Sequence, residues 1–244
     1  MIKNILSRIK NTTISTDKNS KEYSKGVLYK SAVEEEKEWR KENKKDAFTA
    51  DKLLAEIRGL GSDYKYIADI THRNNTDKDI LDIVLKYIGC FDDQAISDLL
   101  VGVVGQNGNV SATETLIDCY TNRTKSKQIS SFFYDNAFSR IKDKRFIPFY
   151  LKLLKNPTEA SVFPLTMIML GRWRVMEAKP YFGQYLKCSE EKNNLLFISI
   201  HALSYYSDED GSIAKEIEKR IKSDDKDIAT AAQKAKKRLD KNNY

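Results

Sequence analysis

From Thr49 onward the chain alternates between apolar-periodic segments of 10–16 residues and polar connections of two to six residues. Within each segment the apolar residues recur at three- and four-residue spacing, which puts them on one face of a helix. The pattern predicts helices over 50–59, 63–73, 78–89, 93–105, 112–121, 127–142, 145–155, 159–172, 177–188, 192–206, 212–223 and 226–240. Thr49, Thr76, Ser111, Ser189 and Ser212 stand at or near predicted starts, where a hydroxyl accepts a bond from an orphan N–H. Ser111-Ala-Thr-Glu114 has the spacing of a capping box. Gly59, Gly61, Gly89 and Gly105 fall near predicted ends, where a left-handed residue closes a helix.

The first 48 residues differ. Ile2, Ile5, Leu6 and Ile9 mark a short amphipathic helix over 1–10, and 11–26 are polar without an apolar period, the pattern of a flexible linker. Residues 27–46 are helix-prone and mostly charged, with one thin apolar stripe of Val27, Leu28, Ala32, Val33 and Trp39. The expectation is a flexible N-terminal arm with a charged helix over 1–48, followed by a domain over 49–244.

The helices of that domain repeat in pairs. The first helix of each pair ends with an apolar residue at Ile88, Tyr120, Leu154, Leu186 and Ile221, at steps of 32, 34, 32 and 35 residues. The second helix has its marker at Val104, Phe138, Leu170 and Leu203, at steps of 34, 32 and 33. The turns are polar or acidic, as in Asn156-Pro-Thr-Glu159 and Ser223-Asp-Asp225. A helix pair of this size cannot bury both faces alone, so neighbouring pairs must stack. In period, apolar placement and turn composition the segment 49–240 resembles the HEAT-like α-solenoids, most closely at Phe146 to Ala160 and Met167 to Gly171. The resemblance implies an all-α, right-handed solenoid of five to six helix pairs, with the second helices lining the concave face.

Composition agrees with helices joined by short turns. Only 10 of 244 residues are Gly and 4 are Pro, against typical usage of about 7% and 5%. No uncharged apolar run reaches the length of a transmembrane span, and the N-terminus lacks the apolar core of an export signal. The expectation is a cytoplasmic protein with no membrane partner. Cys90, Cys119 and Cys188 are too scattered for a disulfide framework and are expected as buried thiols.

Catalytic signatures are lacking. The two histidines, His72 and His201, have no metal-ligand spacing, and the glycines at 102, 105 and 108 match no phosphate loop. Neither a metal nor a cofactor is expected. The acidic runs Glu34 to Glu36 and Asp92-Asp93 read as solvated faces and caps rather than as an acid–base pair.

Net charge is +7, and residues 101–200 carry 14 basic and 8 acidic residues. Gly171-Arg-Trp-Arg174 ends a second helix in this region. The repeat register puts Arg172 level with Arg140 and Tyr205, with Asn136 and His201 one turn earlier. These five, with Trp173 and Arg174, are the candidate partner-binding residues, and Lys142, Lys144 and Arg145 thicken the patch. Guanidinium groups hold phosphate or carboxylate in a bidentate fork, and an aromatic ring beside them stacks on a base or a side chain. The expected function is non-enzymatic binding of another protein, as an adaptor or an immunity-protein-like inhibitor. The alternative is nucleic-acid binding. HEAT-like DNA glycosylases are similar in length, helix pairing and basic charge, and Trp173 between two arginines resembles their aromatic groove, although no carboxylate stands beside it in the sequence.

Overall fold

The computed structural model describes residues 18–72, 77–106, 108–123, 131–187 and 193–242. The amphipathic segment 1–10, Thr76, Cys188 and Ser189 lie outside the described residues. All regular structure among the described residues is helical, with no strand. In chain order the helices are α1 (Lys18–Glu42), α2 (Lys44–Gly59), α3 (Ile67–His72), α4 (Lys78–Tyr87), α5 (Gln94–Val104), α6 (Thr113–Arg123), α7 (Ser131–Ile141), α8 (Ile147–Lys155), α9 (Pro157–Val162), α10 (Pro164–Arg172), α11 (Lys179–Leu186), α12 (Asn193–Leu203), α13 (Ser212–Lys219) and α14 (Lys226–Asn242). Single 3-10 turns precede α6, α8 and α11. None of the described helices is long and apolar enough to cross a membrane.

The chain divides into two compact units, one ending at Tyr134 and the other beginning at Asp135. In the first, α1 starts at Lys18, so residues 18–26 are helical rather than linker. Nor does its described part hang free as an arm. Tyr29 donates to Asp69, Trp39 Nε1 donates to Asp93 at 2.8 Å, and Glu36 accepts the backbone N–H groups of Ile67 and Ala68 at 3.0 Å. Glu36, expected on a solvated face, is therefore buried and caps α3 with Arg40 as its counter-ion. The helix expected over 27–46 breaks at Asn43, whose side chain donates to the Trp39 carbonyl. Asp46 on α2 accepts the N–H groups of Asp92 and Asp93 ahead of α5. The core of this unit is Leu53, Leu54, Ile57, Ile70, Ile88, Leu100, Val104 and Leu116.

The second unit is built around Phe138, Tyr150, Leu154, Phe163, Leu170, Phe182, Leu186, Leu203 and Tyr206, all buried. Tyr185 donates to the Leu154 carbonyl at 2.6 Å, and Tyr206 to the Val175 carbonyl at 2.7 Å, each across 31 residues. Asp135 on α7 accepts the N–H groups of Leu165 and Thr166 at the start of α10, and Asp208 does the same for Ile213 and Ala214 in α13. The helix expected over 159–172 is split into α9 and α10. Pro164 has no N–H to give, and its ring would clash with the carbonyl four residues back, so Phe163 leaves the helical region at φ −119° and ψ 49°.

Every repeat marker from Ile88 to Leu203 is buried, whereas Ile221 lies beyond the end of α13 and is half-buried. The caps depart from expectation. Thr49 is inside α2, Ser111 donates to Asn109 rather than closing a box, and Ser212 follows the capping position. Asp77, Asn156 and Asp225 accept the first N–H groups instead, while Asp93 caps α5 as its acidic turn predicts. A carboxylate both accepts these bonds and answers the positive end of the helix dipole. The cysteines also depart from expectation, with Cys90 exposed and Cys119 half-buried.

Candidate functional site

The site grows from one close helix approach in the second unit. A Cβ placed on Gly171 would lie 2.6 Å from the Cα of Ala202. The bare glycine lets α10 lie directly against α12, and α14 packs on α12 as well. Arg172, the last residue of α10, is thereby carried to Tyr205 in the turn after α12, and its Nε donates to the Tyr205 hydroxyl at 3.1 Å.

Arg238 on α14 comes to the same ring, with its guanidinium carbon 4.3 Å from the Tyr205 centroid. Its Nη1 donates to Ser204 Oγ at 2.6 Å, and Ser204 in turn donates to the His201 carbonyl. The Arg172 guanidinium carbon is 5.9 Å from the same centroid. His201, one turn before Tyr205, is half-buried with its ring 4.5 Å from that of Phe197. Burial holds its pKa below the ordinary value, helped by the positive charges of Arg238, Lys234 and Arg172. Among the described residues no carboxylate pairs with Arg172, Lys234 or Arg238. The result is two guanidinium groups tethered beside one phenol, with an ammonium and a neutral imidazole nearby.

The structure thus joins Arg172, His201 and Tyr205 as the register predicts. Trp173 belongs to a different group. It is half-buried, with its ring 6.4 Å from that of Tyr150 and Lys144 Nζ 5.6 Å above it. Arg174 is exposed and takes a left-handed φ of 54° after α10, and Lys142 takes 60° after α7. Arg145 does not thicken a free cationic patch, because it forms an ion pair at 2.6 Å with the buried Asp143. On α7, Arg140 is exposed and forms no ion pair among the described residues, while Asn136 is half-buried one turn earlier.

Arg238, Lys234 and Ser204 were missed by sequence reasoning, although the signal for the first two was present. Arg140, Arg172, Tyr205 and Arg238 follow one another at steps of 32, 33 and 33 residues, and Lys234 follows His201 by 33. The register had only to be carried one unit further, into the last helix.

The buried carboxylates of this unit are held by backbone. Burial pushes the Asp135 carboxyl up, against the N–H groups of Leu165 and Thr166 that favour its charged form. Asp135 and Asp208 each give both carboxylate oxygens to backbone N–H groups at a helix start. Among the described residues, no cluster of three or more His, Cys, Asp or Glu is placed to hold a metal ion. Compared with known proteins, the chain matches no family model, no curated protein and no solved structure.

Proposed function

We propose that the chain is a non-enzymatic binding protein, a HEAT-like α-solenoid that holds another protein, as an adaptor or inhibitor, against the second helices of its pairs in the cytoplasm. The observation that carries this reading is the cluster of Arg172, Tyr205 and Arg238, whose cations pair with no carboxylate among the described residues. Arginine and tyrosine are the side chains that most often anchor protein interfaces, and cations left without carboxylates favour an acidic counterpart. The engagement of Asp135 and Asp208 with backbone N–H groups also speaks against acid–base chemistry in this unit.

One observation favours nucleic acid as the second reading. Residues 135–244 carry 21 basic and 15 acidic residues, so six of the seven net positive charges lie there. Cross-linked capture from the source cell separates the two. The protein reading expects one identified protein to be retained by the wild type and lost with Arg172→Glu plus Arg238→Glu. Duplex DNA or RNA binding, with log affinity falling at about −0.9 per neutralised phosphate in log salt, would replace it with the nucleic-acid reading. A captured protein that ignores the double substitution would place the interface on another face.

A further inference from the structure

We infer that Arg172, Lys234 and Arg238 form an oxyanion site whose ligand is a phosphate monoester, borne by the partner or free. The inference rests on reading this face as a binding surface and adds the chemical group that the face selects.

The geometry carries it in three steps. First, the two guanidinium groups converge rather than spread. Their carbons lie 5.9 and 4.3 Å from the Tyr205 centroid, so both sit at one ring rather than along a line of charges. A nucleic-acid backbone is tracked by cations strung along a groove, whereas one doubly charged group is served by convergent ones.

Second, the forks are pre-oriented. Tyr205 Oη engages Nε of Arg172, and Ser204 Oγ engages Nη1 of Arg238, so one donor of each guanidinium is used for tethering and the others remain to be given. A planar guanidinium held in this way loses little freedom on meeting an oxyanion. The tethers are neutral oxygens, which leaves the positive charge of both groups intact.

Third, the charge count suits a dianion. Three cations without a carboxylate partner among the described residues are more than one side-chain carboxylate neutralises. A phosphate monoester carries close to two negative charges at neutral pH and three acceptor oxygens. A phosphodiester offers one charge and two free oxygens. His201, kept neutral beside the cations, supplies a group whose protonation reports what arrives. A dianion among the three cations removes the repulsion that they exert on an imidazolium, and the pKa of His201 must then rise.

The chain has two histidines, so the imidazole resonances of His201 can be followed individually by NMR in the full-length protein. The probes are inorganic phosphate, phosphoserine, a phosphoserine-containing peptide, glutamate and a short DNA duplex, all at low ionic strength. Phosphate and phosphoserine are expected to raise the His201 pKa, while glutamate leaves it in place. A peptide that binds at least about tenfold tighter than free phosphoserine assigns the source to a partner protein, and equal binding assigns it to a free metabolite. Arg172→Gln and Arg238→Gln are each expected to weaken phosphate at least about tenfold, corresponding to loss of one charge-assisted bond. Ser204→Ala, which frees Arg238 without removing charge, is expected to weaken it a few-fold, and its thermal melt checks that the fold survives.

A His201 pKa unmoved by phosphate, or moved equally in the Arg172→Gln plus Arg238→Gln variant, overturns the inference. So does a duplex that binds more tightly than phosphoserine with a salt slope of several phosphates. Phosphate binding without any captured protein would instead sink the protein-partner reading and leave the oxyanion site standing.

Discussion

Gly171 has no side chain because Ala202 occupies the space one would need. The missing Cβ would meet the Ala202 Cα at 2.6 Å and its Cβ at 2.8 Å, and an obstacle that includes backbone cannot yield cheaply. Gly171→Ala is therefore expected to cost about 1–3 kcal/mol, the range for overpacked cores. By pushing α10 from α12 it should also break the bond between Arg172 and Tyr205. A urea midpoint unchanged from wild type would show that the two helices part without penalty.

The repeat markers test the packing more directly. Leu154 is fully buried, and its own carbonyl accepts the bond from the Tyr185 hydroxyl. Leu154→Ala is expected to cost about 2–5 kcal/mol, measured by denaturant unfolding, and a loss below about 1 kcal/mol would mean that the site collapses around the gap.

His201 links stability to pH. Its pKa in the folded chain is depressed, first by burial and then by the surrounding cations. In the unfolded chain the imidazole takes up its proton near about pH 6.5. The unfolded state therefore binds this proton more readily. The contribution of His201 is complete above about pH 6.5 and is lost as pH falls below it. His201→Gln should shrink the drop in stability between pH 7.5 and 5.5. Identical drops in the wild type and the variant would assign the effect elsewhere.

Lys142 and Arg174 close α7 and α10 in left-handed conformations that cost an L-residue about 1–2 kcal/mol. Glycine avoids that cost but loses more backbone entropy. Lys142→Gly and Arg174→Gly are each expected to raise stability by about 0.5–1 kcal/mol. A loss of stability in thermal melts would show that the basic side chains hold interactions worth more than the strain.

How much of this was legible depended on the kind of signal. Apolar period is a statement about burial, and Ile88, Phe138, Leu154, Leu170, Leu186 and Leu203 are buried as it required. The same register led from Arg172 to Tyr205, and one more step would have reached Arg238. Glu36 was illegible because it stands in a run of three acids, and only the backbone N–H groups of Ile67 and Ala68, 31 and 32 residues away, draw it inward. The caps were misread because hydroxyls and carboxylates lie side by side at the helix starts, and geometry decides between them. The break before Pro164 was open to reading from the proline alone. Trp173 was grouped with its neighbours in sequence, although the turn after α10 carries it to Tyr150.

The Tyr205 cluster also has an order of assembly. Arg172 leaves the ribosome first, then His201, Ser204 and Tyr205, and last Lys234 and Arg238. The bonds that tie the unit together span about thirty residues, such as 31 for Tyr185 to Leu154 and 34 for Arg238 to Ser204. Links that reach only from one helix pair to the next close smaller loops than links between the ends of a chain, and form sooner as helices become available. Arg172 and Tyr205 can therefore be in place while the cluster is still one guanidinium and one ammonium short. The full positive charge comes together only when α14 docks, so the proposed oxyanion site stays incomplete in a nascent chain until its last element has been made.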